Sequence, residues 1–217
     1  MYKNFSSLLS FTLLTSCSGF APVQSNVALY DFGVDVKKPE VHVPATLQVS
    51  EIMAPSWLDS RDLRYRLRYV DGSLLRTYAE TRWAAPPTAL FSKRLRQQLA
   101  MASDGVVVPA DSVKSGCVLK VELQEFSQIF DSPQSSHARI TARVSLVGNG
   151  DRNLLAQKHF DIEHKADSPD ARGGVTALVA TSDELIGNIL LWLSENLDTA
   201  TPEGDKNYKQ CHKFEES

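Results

Sequence analysis

From Leu63 to Tyr69 apolar and basic residues alternate without a break. Leu63, Tyr65, Leu67 and Tyr69 therefore point one way, and Arg64, Arg66 and Arg68 the other. A period of two predicts a strand with one buried face. Asp71-Gly72 then supplies a tight turn, and Leu74 to Trp83 reads as the return strand of a hairpin. After Pro86-Pro87 the period changes. Leu90, Phe91, Leu95, Leu99 and Met101 recur at mostly helical spacing, with Asp104-Gly105 as a stop, which predicts a first helix over residues 88–102.

The next block returns to period two. Cys117, Leu119, Val121 and Leu123 share a face, and the apolar phase then moves to Phe126, Gln128 and Phe130. A phase change inside one strand predicts a bulge near Gln124-Glu125. Ala138 to Leu146 alternates again, the segment 148–151 turns the chain, and Leu154 to Ile162 comes back, a three-strand antiparallel meander. Ser168-Pro169-Asp170 resembles a helix start, and Gly173-Gly174 is expected to delay it. Val175, Leu178, Val179, Leu185, Ile186, Ile189, Leu190 and Leu193 form the stripe of a second helix, running to about Asn196 and lying across the sheet. With residues 46–50 as an early strand, the expected fold is α+β: a mostly antiparallel sheet, hairpin plus three-strand meander, with two helices packed on one face.

The termini have a different texture. Lys3 and the short apolar run from Phe5 to Leu14 lead into Leu14-Thr15-Ser16-Cys17. The run falls short of the roughly 20 apolar residues that span a bilayer, and reads as a signal peptide over residues 1–16. A Leu three residues before a Cys, with small residues between, matches the bacterial lipobox, in which the Cys17 thiol receives a diacylglyceryl group. Ser18 in place of an aspartate points to sorting to the outer membrane of a Gram-negative cell. Residues 17–27 read as an acylated tether, 28–198 as a single domain, and 199–217 as a polar, disordered tail. Composition adds little beyond solubility: 42% hydrophobic residues and a formal charge of −3 suit an ordinary globular domain and give no sign of nucleic-acid binding.

Several stretches match one family, in its order, over nearly the whole mature domain. They are residues 29–33 (LYDFG), 54–59 (APSWLD), 81–84 (TRWA), 125–131 (EFSQIFD), 135–138 (SSHA) and 170–178 (DARGGVTAL). On these the chain resembles the auxiliary lipoproteins of bacterial ABC-type and MCE-type envelope transporters, a group that includes paraquat-inducible protein C. The resemblance implies a non-enzymatic role at the outer membrane, facing the periplasm, in a system that moves lipids or other hydrophobic molecules. The implied partners are a periplasmic MCE-type protein and an inner-membrane ABC permease complex, and the implied task is to dock the periplasmic component. A ring-shaped homo-oligomer is a further implication. The arginine-rich strand and two cysteines, Cys117 and Cys211, depart from the family's pattern.

Residues 61–96 hold nine Lys or Arg against three acidic residues. Arg64, Arg66 and Arg68 read either as a basic patch for an acidic partner or anionic headgroups, or as a solvated sheet face with cross-strand ion pairs. Cys117 and Cys211 are a candidate disulfide in an oxidising compartment. Trp83 and Trp192 are expected in or beside the core, with interfacial anchoring as the other reading. His159 and His164 lie five apart, on opposite faces of one strand, which argues against shared metal ligation. No catalytic, metal or cofactor motif stands out. Two rival functions remain open: an envelope-assembly lipoprotein without a transporter, and a hydrolase hidden in the domain. A ligand groove between the second helix and the sheet is a subsidiary reading.

Overall fold

The computed structural model describes residues 26–108, 111, 115–150 and 152–212. The segment 1–16 read as a signal peptide, Cys17, and most of the segment 17–27 read as a tether lie outside the described residues. In chain order the elements are β1 (Ala28–Tyr30), β2 (Val43–Val49), a 3-10 turn (Ser56–Leu58), β3 (Asp62–Leu67), α1 (Arg68–Asp71) and β4 (Gly72–Trp83). Then follow α2 (Pro87–Ala102), β5 (Ser103–Val107), β6 (Cys117–Ser132), β7 (Ser135–Gly148), β8 (Leu154–Lys165), α3 (Ala171–Asn196) and α4 (Pro202–His212).

All eight strands belong to one sheet, and it is mixed rather than mostly antiparallel. The pairs β1/β4, β2/β5, β2/β6 and β3/β6 are parallel. Only β3/β4, β6/β7 and β7/β8 are antiparallel. The expectation fails for a physical reason: alternation reports that one face of a strand is buried, and carries no information about the direction of its neighbour. Here the segment 43–67 runs beside β6 in the same direction. It pairs first as β2 (Leu47 with Cys117), next through a bridge from Met53 to Glu122, and then as β3 (Tyr65 with Gln128). Parallel neighbours need a crossover, and the return through β4, α2 and β5 provides it. The hairpin also lacks a two-residue turn, because one helical turn, α1, separates β3 from β4.

β6 is the spine. Its register with β7 shifts between Leu123 and Glu125, so Gln124 is the extra residue of the bulge. Before the shift Cys117, Leu119, Val121 and Leu123 face the core, and after it Phe126, Gln128 and Phe130 do. The same face of β7 buries Ala138, Ile140, Ala142, Val144 and Leu146. Across this face lies α3, with Leu178, Leu185, Ile186, Ile189, Leu190 and Leu193 buried against it. α3 is long and apolar enough to match a membrane span by composition, but its apolar stripe is spent on the sheet. Trp192 meets Phe160 edge to face, and Trp83 packs with Phe32 and Phe126.

Helix α3 starts at Ala171, without the delay expected from Gly173-Gly174. The Asp170 carboxylate caps it, accepting from the Gly173 amide at 2.8 Å. The glycines are there for close approach: a Cβ at Gly174 would sit 2.1 Å from Gln128 Oε1, and one at Gly173 2.1 Å from the Ser168 carbonyl. Gln128 is fully buried. Its amide donates to Ser136 Oγ and to the Asp170 carbonyl, and its Oε1 accepts from the Tyr78 hydroxyl at 2.8 Å. Burial pushes the Tyr78 hydroxyl well above its ordinary pKa, so it stays a donor.

The tail expected to be disordered contains α4. Its buried residues are Gly204, Asn207 and Cys211, spaced three and four apart. Cys211 is joined to Cys117 by a disulfide, and Asn207 donates to the carbonyl of Asn196 at the end of α3. A stripe of small and polar residues leaves no apolar periodicity to read, yet it lets α4 lie close. A Cβ at Gly116 would fall 1.7 Å from the Cys211 carbonyl. The packed unit therefore continues past Asp198 to His212.

Candidate functional site

With the helices α2 and α3 on one face of the sheet, the other face is polar, and there the arginines of β3 lie. Arg64 is held by Ser60 Oγ at 3.0 Å and Asp62 at 3.4 Å. Arg66 reaches across to β6 and pairs with Glu125 at 3.0 Å. The Trp57 ring stands 5.9 Å from each of these two guanidiniums, a cation–π arrangement. Arg68, in α1, pairs with Asp131. The stretch is thus not an unpaired basic patch. The alternating pattern puts the three arginines on one side; Asp62, in β3 itself, neutralises Arg64, and β6, far along the chain, brings Glu125 to Arg66 and Asp131 to Arg68.

The pairing continues over β7 and β8. Arg139 forms a two-point contact with Asp161, at 2.9 and 2.6 Å, and lies 3.5 Å from Glu163. The bidentate bond holds the Asp161 carboxyl below its usual range and raises Arg139 further, so both stay charged. Arg143 pairs with Glu122. His137 Nδ1 meets Asp131 at 2.9 Å, while its Nε2 is buried without a hydrogen bond, 3.7 Å from Glu163. His159 stands opposite Arg143 on this face, and His164 stands opposite Ala138 on the helix side, so parity keeps the two apart.

Where β3 and β7 flank the bulge of β6, the face is concave. A cavity of about 440 Å³ opens there, lined by Arg66, Arg68, Gly72, Gln124, Glu125, Ile129, Arg139 and Thr141. Three guanidiniums therefore border one recess, each oriented by a carboxylate. A guanidinium has five N–H donors, so a partner carrying carboxylates or carbonyls can be received without disturbing the ion pairs. Arg94, also in the basic stretch, is elsewhere. It is 1% exposed beneath α2, donating to the carbonyls of Phe32 and Asp35 with Asp183 at 3.5 Å. Residue-by-residue reading singled out Arg66 and Arg68 but missed Arg139 and Thr141, whose only signal is their place at polar positions of their strands, and marked Glu125 only through the bulge and the family stretch 125–131.

The site lies inside a recognisable family unit. The family model for the ABC-type transport auxiliary lipoprotein component matches residues 34–189, most of the chain and every residue that lines the cavity. The chain belongs to that family. No curated protein matches at a significant level. Among solved structures, this auxiliary component is similar to protein XCC0632 from Xanthomonas campestris, at 18% identity and a TM-score of 0.70, covering 81% of this chain and all of that one. A second crystal structure, of an uncharacterized protein, has 18% identity and a TM-score of 0.62, covering 78% of this chain and 99% of that one. At these identities the likeness establishes the fold. The PelC dodecamer from Paraburkholderia phytofirmans is more distant, at 12% identity and a TM-score of 0.45, covering 73% and 94% of the two chains. The auxiliary component is thus a lipoprotein associated with transport, with an eight-stranded sheet as its frame.

Proposed function

We propose that this auxiliary lipoprotein is a non-enzymatic docking subunit, anchored through acyl chains on Cys17 to the periplasmic side of the outer membrane. It captures the periplasmic MCE-type component of an ABC-type system that moves lipids or other hydrophobic molecules. The observation that carries the reading is the family match over residues 34–189. The lipobox ending at Cys17 supports the anchor, and a tethered domain gains effective concentration near its partner. The polar face opposite α2 and α3 supports docking. Its arginines are pre-oriented, its recess is open, and its ion pairs mean that a partner must fit the shape as well as the charge.

The test is a crosslinked pull-down of the full-length protein from fractionated membranes, with Cys17→Ala and Thr141→Tyr as variants. Tyr suits a strand and fills the recess while leaving each ion pair in place. An MCE protein or its permease should be recovered from outer-membrane fractions, lost with Cys17→Ala and reduced about ten-fold with Thr141→Tyr, a loss of about 1.4 kcal/mol. Outer-membrane recovery with no transport component would move the protein to envelope assembly. Unchanged capture by Thr141→Tyr would remove the recess from the docking surface.

A further inference from the structure

The β3–β4 hairpin ends in an apolar tip that the rest of the described structure leaves uncovered. α1 contains no buried residue, and Tyr69, Val70 and Leu74 are 46%, 64% and 46% exposed. The turn itself does not require them. Asp71 Oδ1 already accepts from the amide and hydroxyl of Ser73, which closes the reversal with polar groups alone. Arg68 and Arg76 flank the three apolar side chains.

The course of the chain indicates what meets this tip. β1 is parallel to β4, with Ala28 opposite Thr81. Followed backwards from Ala28, the chain therefore comes from the direction of Gly72, the tip end of β4. From Thr81 to Gly72 is nine residues, less than about 30 Å of strand, because the pairing of β4 with β3 is interrupted between Thr77 and Arg82. From Asn26 back to Cys17 is also nine residues, with a reach of at most about 30 Å. That reach is long enough for acyl chains on Cys17 to hold the bilayer surface at the level of the tip with no reversal of the chain. The opposite orientation, tip away from the membrane, would force the chain to double back before β1.

We propose that Tyr69, Val70 and Leu74 insert into the headgroup region of the bilayer to which Cys17 is anchored, so that the domain is held at two points. This rests on the acylation of Cys17 in the function proposed above. Tyr69 places an amphipathic ring at the interface, and Val70 and Leu74 enter the acyl boundary. Arg68, while paired with Asp131, keeps N–H donors that can meet a lipid phosphate beside the inserted residues. A second point of contact converts a loose tether into a fixed tilt, and the recess beside Gly72 then opens at a set height above the membrane.

The experiment uses the full-length protein purified from membranes and reconstituted in phosphatidylethanolamine–phosphatidylglycerol vesicles, with fatty-acid labelling of Cys17 read in the same cells. An environment-sensitive fluorophore is placed at Val70→Cys, or at Met101→Cys on the end of α2 as a control; the disulfide-bonded Cys117 and Cys211 do not react. A several-fold rise in emission at Val70→Cys, quenched by lipid-borne quencher and absent at Met101→Cys, is the expected result. Acylated protein whose Val70→Cys probe stays water-like overturns the tip contact while the anchor stands. Shielding of that probe only when a transport protein is added overturns it in favour of a protein partner. Absence of acyl label on Cys17 overturns both the anchor and the tip placement derived from it.

Discussion

Two glycines of the same helix should respond to alanine with opposite signs. Gly187 lies mid-helix in α3, exposed, with nothing within 4 Å of a Cβ built upon it. Gly187→Ala should therefore stabilise the protein by about 0.5–1 kcal/mol, the backbone-entropy difference between the two residues in a helix. Gly174→Ala gains the same intrinsic preference, but its methyl would sit 2.1 Å from Gln128 Oε1 and 2.6 Å from Gln128 Cδ. Either the amide of Gln128 moves or α3 lifts from the sheet. Moving the amide breaks bonds to Tyr78, Ser136 and the Asp170 carbonyl in a site where Gln128 is fully buried. Buried hydrogen bonds contribute about 1 kcal/mol each, more when a partner is left unsatisfied. A loss of about 3–4 kcal/mol against a gain of about 1 leaves a net destabilisation of about 2–3 kcal/mol. For a protein of this size that lowers Tm by roughly 4–12 °C.

Equilibrium urea denaturation of the folded domain, followed by far-UV circular dichroism and by tryptophan fluorescence, measures both variants on one scale. The double variant Gly174→Ala/Gln128→Ala supplies the internal control. Once the amide is gone the methyl has room, so the two changes should cost less together than the sum of each alone. Gly174→Ala as stable as the parent, or shifted in the same direction as Gly187→Ala, would refute the close contact between α3 and β6.

Three further outcomes follow from the packing. Cys117 and Cys211 are 94 residues apart in sequence, so Cys211→Ala should cost up to about 4–5 kcal/mol by loop entropy; thermal unfolding with and without reductant should show the loss in the parent and none in the variant. Arg94→Met should destabilise by about 3 kcal/mol, because it strands the carbonyls that Arg94 satisfies at Phe32 and Asp35; limited proteolysis should then cut first within residues 26–38. The Gly173 amide, with help from Ser168, holds the Asp170 carboxyl below the usual aspartate range. A depressed folded pKa means that its contribution is complete above the unfolded value and fades as pH falls below it; Asp170→Ala should therefore cost about 1 kcal/mol at pH 7 and progressively less below pH 4, read from denaturation curves at each pH.

Short-range features of the fold were readable where burial repeats at a fixed period. The bulge at Gln124, the helices α2 and α3, and the β6–β7–β8 meander each announce themselves by phase and punctuation. What period cannot carry is direction. β2 and β3 alternate as antiparallel strands would, and both run parallel to β6. Nor can it carry burial that uses polar atoms. α4 seats Gly204, Asn207 and Cys211, and α2 hides Arg94 among Phe91, Leu95 and Leu99. Carbonyls distant in sequence, at Phe32 and Asp35, satisfy Arg94, while α4 is held by the Asn207 bond to the Asn196 carbonyl and by the disulfide.

The recess shows the same limit at the level of function. Nine basic residues against three acidic ones between 61 and 96 describe a strongly positive stretch only while the chain is read locally. Folding brings Glu125 to Arg66 and Asp131 to Arg68, and places Asp161 and Glu163 beside Arg139. A face whose charges are already matched attracts partners weakly at long range, since opposite charges a few ångströms apart cancel beyond a Debye length of about 8 Å. It still offers donors with fixed directions, because each carboxylate holds its guanidinium in place and removes much of the ordering cost on binding. Capture by this face should therefore depend only modestly on salt and strongly on the shape of the recess. A crosslinking yield that falls steeply between low and physiological ionic strength, while Thr141→Tyr leaves it unchanged, would contradict this view of how the face selects its partner.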